Sequence, residues 1–330
     1  MKIVFYSTRD FERPFFDSLN YDSHDIVYLR QTLTKETVEM SNGADAIFVF
    51  PNDDCSKEII ESLHQLGVKY ISTRSKGFDH IDWARANELG VIVGRVPDYS
   101  PYSVAEHAIA LLLSLNRRTF KAYNLSHKWD FRLDNLMGFD VHKKVVGVIG
   151  VGKIGSVMVK ILKGFGCKVI AYDPVRYQFL VDSYDLEYVD TIEDLYSRSE
   201  IITIHAPLNE QTHYMIDKKS ISKMKKGVMI INTARGGIVN TKDIIWALRE
   251  GIVSAYGADV YENERDYFFS DCTASNKLDG TLEELISIDN VLITSHQGSL
   301  TEKAMEDIAR ASFHNVNCWS KGNKSGNELN

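Results

Sequence analysis

The 330-residue chain is poor in cysteine: Cys55, Cys167, Cys272 and Cys318 are scattered and form no C-x-x-C pair. That spacing offers neither a disulfide framework nor a zinc site, and it points to a reducing, cytosolic setting. Long apolar runs are missing too. None approaches the ~20 residues that a membrane helix requires. The opening Met1-Lys-Ile-Val-Phe-Tyr6 is too short for a secretory leader and reads as a first strand. Nor is there an excess of basic charge. The 38 Lys and Arg stand against 45 Asp and Glu, a formal net charge of −7, and no basic block appears. That balance argues against a nucleic-acid partner. Repeats and low-complexity segments are absent, and only Lys321 to Asn330 looks like a tail. What remains, 44 % hydrophobic and 25 % charged, is the composition of a soluble globular protein, and the length suggests two domains.

Against that background one stretch stands out. Val145 to Ile149 is a short β-branched apolar run and reads as a buried strand. It leads into Gly150-Val-Gly152-Lys-Ile-Gly155. Val157, Ile161, Leu162 and Phe165 then follow at helical spacing. A second β-rich run, Lys168 to Tyr172, ends on Asp173. Strand, glycine turn, helix, strand and acid have separate physical jobs in dinucleotide binding. Gly150 permits the tight turn, Gly152 lets the backbone approach a pyrophosphate, and Gly155 lets the helix pack close to the strand. The helix N-terminus offers N–H groups and partial positive charge to phosphate. Asp173 can bind both ribose hydroxyls and would repel a 2′-phosphate, so NAD is favoured over NADP. Arg176, three residues on, is the one nearby charge that softens this choice.

The flanking chain alternates in the same way. Ile3–Tyr6, Ala46–Phe50 and Val68–Ser72 read as strands, Ser56–Leu66 as a helix, and Pro97, Ser100 and Pro101 mark a boundary. A strongly apolar helix spans Ser103 to Arg118. Beyond Asp173, four predicted strands each end on polar residues: Ile201–Ile204 on His205, Val228–Ile231 on the turn to Arg235, Ala255–Val260 on the turn to Glu264, and Val291–Thr294 on the turn to His296. Ligands of doubly wound parallel sheets sit beyond the carboxyl ends of the strands. Thr301 to Trp319 reads as a last helix, returning to the first domain.

If Arg235, Glu264 and His296 converge beside a nicotinamide, their chemistry is reduction of a 2-oxo acid. Arg235 can grip a carboxylate with two parallel hydrogen bonds. His296 can exchange a proton with the carbonyl oxygen, and Glu264, bonded to the far ring nitrogen, would orient the imidazole and favour its acid form. Taken singly, each has a plainer reading: a surface arginine, a solvated acid in the polar run Tyr261–Asp266, and a hydrogen-bonded loop histidine. Their shared place in the sheet is what joins them.

Six motifs carry a resemblance over essentially the whole chain. They are Arg74-Ser-Lys-Gly77-Phe-Asp-His-Ile-Asp82; Val96-Pro-Asp-Tyr99-Ser-Pro101 with Ala105-Glu-His107; Gly147 to Gly155; Asn232-Thr-Ala-Arg-Gly-Gly237; Asp259-Val-Tyr-Glu-Asn-Glu-Arg-Asp266; and Ser295-His-Gln-Gly298. With these the chain resembles the D-2-hydroxyacid dehydrogenase family, nearest to its fermentative D-lactate enzymes. The resemblance implies an α/β protein of two domains, a Rossmann NAD-binding domain over 100–298 and a flavodoxin-like substrate domain over 1–99 and 299–330, with the active site in the cleft. It implies catalysis by Arg235, Glu264 and His296. Cofactor contacts would fall on Gly150, Gly152, Lys153, Ile154, Gly155, Asp173, Ala206, Pro207, Thr212, Thr233, Ala234 and Asp259. Substrate contacts would fall on Lys76, Gly77, Tyr99, Arg235 and Ser299. It further implies a homodimer or higher oligomer with Asp130–Asp140 in the interface, no metal, and D stereochemistry.

Two positions depart from the lactate pattern. The lactate enzymes of the family usually carry a bulky aromatic where Ser299 stands, and a small or aliphatic residue where Lys76 stands. Pyruvate reduction to D-lactate is the leading expectation. The alternative is the same chemistry on a larger or dicarboxylic 2-oxo acid, such as 2-oxoglutarate or phenylpyruvate, with Ser299 making room and Lys76 offering charge. A rival of another class is an NAD-sensing binding protein, as in the family's transcriptional corepressors. The short termini, with no regulatory extension, favour an enzyme.

Overall fold

In the computed structural model, which describes residues 1–273 and 279–329, two separate parallel sheets organise the chain. One compact unit is Met1–Ser100 together with the chain from Leu300 on; the other is Pro101–Ser299. In the first unit lie β1 (Lys2–Phe5), β2 (Asp25–Tyr28), β3 (Ala46–Val49), β4 (Tyr70–Thr73) and β5 (Ile92–Gly94), in the order β2-β1-β3-β4-β5. This is flavodoxin-like order. The strands are near-continuous apolar runs because both faces are covered. Val4, Tyr6, Ile47 and Val49 pack into one apolar cluster, and Ile3, Phe5, Ala46 and Phe48 into another. Helix Glu302–Ser320 lays Met305, Ile308, Phe313 and Val316 on the second of these faces.

The second unit holds β6 (Val145–Ile149), β7 (Lys168–Tyr172), β8 (Glu187–Tyr188), β9 (Ile201–Ile204), β10 (Val228–Asn232), β11 (Val253–Ala258) and β12 (Val291–Ile293). Their order is β12-β11-β10-β9-β6-β7-β8. Read outward from β6, this is the doubly wound Rossmann order, with the strand order reversing between β6 and β9. All its pairings are parallel, and Val146, Val148, Ile201 and Ile231 face one cluster while Ile149, Ile202, Ile204 and Ile230 face the other.

One expectation fails. The segment after Lys321 is not a loose tail. Glu328 bridges Gly94 at the edge of β5, the Leu329 amide donates to the Val93 carbonyl at 2.9 Å, and the Leu329 side chain is buried in the core. Asn330 lies outside the described residues. Among the described residues no helix is long and apolar enough to cross a membrane, and no cluster of His, Cys, Asp and Glu is built to hold a metal ion.

Candidate active site

The register of the larger sheet sets the site. Tyr172, Ile149, Ile204, Asn232, Ala258 and Ile293 are Cα partners in one row across β7, β6, β9, β10, β11 and β12. Neighbouring strands lie about 4.8 Å apart. The residues one step past that row are therefore Asp173, Gly150, His205, Thr233, Asp259 and Thr294, side by side along the carboxyl edge.

At the β6 end two of the three glycines are sterically required. Gly150 has φ +86°, and a Cβ there would stand 2.8 Å from the Ala206 nitrogen. A Cβ on Gly155 would lie 2.0 Å from the Gly150 carbonyl oxygen. At Gly152, by contrast, a Cβ would meet nothing within 4 Å: the backbone faces open space. Gly152 is also the N-cap of helix Lys153–Gly164, which carries Ile154 in its first turn and has no side-chain cap hydrogen bond. Asp173 holds this turn together, its Oδ2 accepting from the Val151 amide and its Oδ1 from the Val175 amide, both at 2.7 Å. Arg176 is drawn elsewhere, donating to Asp190 at 2.6 Å and lying over the Tyr188 ring.

Around β9 and β10 the loops are pinned by their own side chains. The Thr212 hydroxyl donates to the Pro207 carbonyl at 2.6 Å, while Asn232 accepts from the Ala234 amide and donates to the Arg235 carbonyl. The Thr233 hydroxyl oxygen is buried without a hydrogen-bond partner in the protein. Open space before Gly152, an uncapped helix end, Asp173 and this orphaned hydroxyl fit a dinucleotide. Burial pushes the His205 imidazole down to about 4, and its Nε2 lies 2.9 Å from the Thr203 hydroxyl. That buried ring is neutral at physiological pH.

Past β10, Arg235 is half-buried, and its Nη1 donates to the Ala234 carbonyl at 2.8 Å. A Cβ on Gly236 would lie 2.0 Å from the Tyr261 carbonyl carbon, so glycine lets the Arg235 loop press against the loop that follows β11. In that second loop the two acids part company. Glu262 is occupied by the Tyr214 hydroxyl at 2.6 Å and the Thr241 amide. Glu264 accepts from the Tyr261 amide through Oε2, and its Oε1 lies 2.7 Å from His296 Nδ1. The plain reading of Glu264 as a solvated acid is thereby replaced: its carboxylate is tethered and aimed at the ring. His296 itself has φ +54°, a left-handed conformation uncommon for any residue but glycine.

Asp259 is what holds that conformation. Its carboxylate is buried beneath the His296 loop, with Oδ1 accepting from the Thr294 hydroxyl (2.6 Å) and the Gln297 amide (2.9 Å), and Oδ2 from the Gly298 amide (2.7 Å). The His296 amide donates to the Asp259 carbonyl at 2.8 Å. From helix Pro101–Asn116, His107 Nε2 reaches Thr294 Oγ1 at 2.9 Å and Asp259 Oδ1 at 3.2 Å. Burial works to raise the Asp259 carboxyl, but His107, Thr294 and the Gln297 amide outweigh it and hold it below the usual range. This bracing was not apparent from the sequence, where His107 and Thr294 stand 187 positions apart.

In the other unit, Lys76 Nζ lies 3.6 Å from Asp98, so its charge is already countered. Its loop is anchored by buried Arg74, which pairs with Glu12 at 2.9 Å and donates to the carbonyls of Tyr6 and Ser7. The Ser75 hydroxyl donates to the Gly77 carbonyl at 2.6 Å. Tyr99 packs against the apolar cluster beneath helix Glu302–Ser320, and Ser299 is half-buried at the end of the larger unit.

Residues 109–298 match the family model of the D-isomer specific 2-hydroxyacid dehydrogenase NAD-binding domain. The chain belongs to that family. It is an NAD-dependent oxidoreductase, and the dinucleotide that fits the glycine turn is NAD. The dehydrogenase is similar, at 39 % identity over the full length of both chains, to D-lactate dehydrogenase of Escherichia coli. Its structure is similar to that solved for the pyruvate reductase of Chlamydomonas reinhardtii, with TM-score 0.93, 38 % identity, and 99 % and 98 % of the two chains covered. It is also similar to D-lactate dehydrogenase of Aquifex aeolicus, solved with NAD and lactic acid, with TM-score 0.88, 32 % identity and 99 % of each chain covered. The family's chemistry is reduction of a 2-oxo acid to the 2-hydroxy acid at the expense of NADH.

Proposed function

We propose that the dehydrogenase reduces pyruvate to D-lactate, with Arg235, Glu264 and His296 as its catalytic set. The observation that carries this reading is the 2.7 Å contact between His296 Nδ1 and a Glu264 carboxylate that the Tyr261 amide holds in place. With Nδ1 committed, the Nε2 edge of the ring is left for substrate. When bound, NADH supplies the hydride. His296 Nε2 gives a proton to the carbonyl oxygen of the 2-oxo acid and takes it back in the reverse direction. Glu264 stabilises the ring in the orientation that transfer needs, and Arg235 holds the substrate carboxylate with its planar fork. The row of strand-end residues from Asp173 to Thr233 is assigned to NAD, with Thr212, Ala206 and Pro207 shaping the loop beside it. The unit bearing Lys76, Gly77 and Tyr99 is assigned to substrate binding.

Two observations favour pyruvate over a dicarboxylic acid. The relatives named above carry lactate or pyruvate in their names. Lys76 is already paired with Asp98, which leaves its charge less able to attract a second carboxylate. We place the enzyme in the cytosol, in keeping with four free cysteines, and as a homo-oligomer joined through the exposed apolar stretch 129–139. His296→Ala tests the mechanism. Turnover should fall by about 10²–10⁴, with NADH binding, followed by quenching of protein fluorescence, unchanged. Retained turnover in that variant would remove His296 from the mechanism.

A further inference from the structure

The ring beside His296 belongs to Phe269: their centroids are 6.0 Å apart and their planes 37° from parallel. Phe269 has φ +66° and His296 φ +54°. A bulky aromatic rarely adopts the left-handed region, and such strain persists only where the surroundings enforce it. Here the surroundings are plain. The amides of Tyr267 and Phe268 both donate to the Glu264 carbonyl, at 3.1 and 2.8 Å, and Phe268 is buried with Tyr261 and Leu282. The same short turn therefore aims the Glu264 carboxylate at Nδ1 and brings the half-buried Phe269 ring to the side of the imidazole.

We infer that Phe269 is a specificity-determining residue, an aromatic wall that limits the side chain of the 2-oxo acid. This rests on the proposed function and deepens it. A 2-oxo acid held by its carboxylate at Arg235 and its carbonyl at His296 Nε2 has one group left to place, the substituent on the carbonyl carbon. Glu264 takes the Nδ1 edge, and a ring 6.0 Å from the imidazole is near enough to border the space beside Nε2 where the substituent would go. Ser299, three residues after His296, contributes little bulk of its own. A rigid phenyl face against that space suits a methyl group and crowds a branched or aromatic one. Pocket walls of this kind discriminate by about 10–200-fold per group added.

The test compares kcat/KM for pyruvate, 2-oxobutyrate, 2-oxoisocaproate and phenylpyruvate in wild-type enzyme, F269G, F269L and F269Y. Glycine removes the ring and suits the positive φ; leucine keeps partial bulk and reads the same ratio should the glycine variant fold poorly; tyrosine retains the wall. The ratio of phenylpyruvate or 2-oxoisocaproate to pyruvate should rise at least tenfold in F269G, less in F269L, and stay near wild type in F269Y. The pH profile and NADH affinity should be unchanged. An equal loss on every acid, or a loss confined to NADH affinity, would overturn the inference and make the ring a support for His296 or a cofactor contact, leaving the proposed function intact. Wild-type enzyme that turned over none of these acids would overturn both.

Discussion

At the scale of single residues, the site is a case of side chains held by backbone, and backbone held by side chains. Asp173 illustrates the first. Both its oxygens accept amide hydrogens, from Val151 in the glycine turn and from Val175. The carboxylate proposed to bind ribose hydroxyls thus also ties the glycine turn to the end of β7. Asp173→Ala should therefore do two things. It should weaken the preference for NADH over NADPH by removing a charge that repels a 2′-phosphate. It should also raise the KM for both cofactors, because the charge-assisted hydrogen bond from the Val151 amide in the turn is lost. Kinetics with each cofactor separate the effects, and an unchanged NADH/NADPH ratio would count against the ribose role. Asp259 illustrates the second. Its four hydrogen bonds and its own carbonyl fix residues 294–298, which puts a histidine where glycine would be expected. The glycine turn was legible in the sequence because Gly150 and Gly155 answer local steric demands and Gly152 leaves the backbone facing open space. The bracing by His107 and the Phe269–His296 ring contact were not, because they arise from contacts across long stretches of chain.

At the scale of elements, the register of the sheet does most of the positioning. One row of Cα partners, Tyr172 to Ile293, places six strand ends in line, and short loops then carry the chain to Arg235, Glu264 and His296. Buried parallel strands announce themselves as apolar runs, so β6, β7 and β9 to β12 were readable. The edge strands β2 and β8 were not: their burial patterns are half exposed, and polar residues such as Asp25 and Glu187 break the run. The C-terminal segment misled for a related reason. Lys-Gly-Asn-Lys-Ser-Gly-Asn-Glu looks like solvated loop, yet Glu328 accepts from the Trp319 indole N–H at 2.8 Å and the Ser325 amide at 2.6 Å. Partial burial works against the charged form of Glu328, but these donors prevail and bring its carboxyl down from 4.5 to about 2. A carboxyl whose folded pKa is depressed contributes stability above its unfolded value and loses it as pH falls through the folded one. The clamp should therefore weaken as pH drops from about 5 to 2. Discounted for partial exposure, its loss amounts to about 2 kcal/mol. Thermal melts of wild-type and Glu328→Gln protein should differ at neutral pH and converge near pH 2. A constant difference across that window would contradict the assignment.

At the scale of the whole molecule, the larger unit exposes an apolar stretch. Trp129, Leu133 and Met137 are 86, 81 and 91 % exposed within a dozen residues. Beside this stretch a groove of about 520 Å³ is lined by Phe120, Leu125, Arg132, Leu136 and Ile288. Exposed patches of this kind on soluble proteins mark association surfaces, and homo-oligomers are the usual outcome. Sedimentation should find the wild-type enzyme as a dimer or larger, and Leu133→Asp with Met137→Asp should yield monomers. A wild-type monomer at micromolar concentration would rule the stretch out as an interface. Two sheets with separate cores allow each unit its own task, and the family's chemistry gives the larger one NAD. The proposed preference for pyruvate bears on Ser299 and Lys76, the two positions that depart from the lactate pattern.

The most direct measurement is the initial rate of NADH oxidation by purified enzyme with pyruvate, oxaloacetate and 2-oxoglutarate, with the chirality of the product determined. A clear preference for pyruvate and formation of D-lactate is the predicted result. Faster turnover of either dicarboxylic acid would contradict it, and would turn Lys76 and Ser299 into the residues that select the substrate.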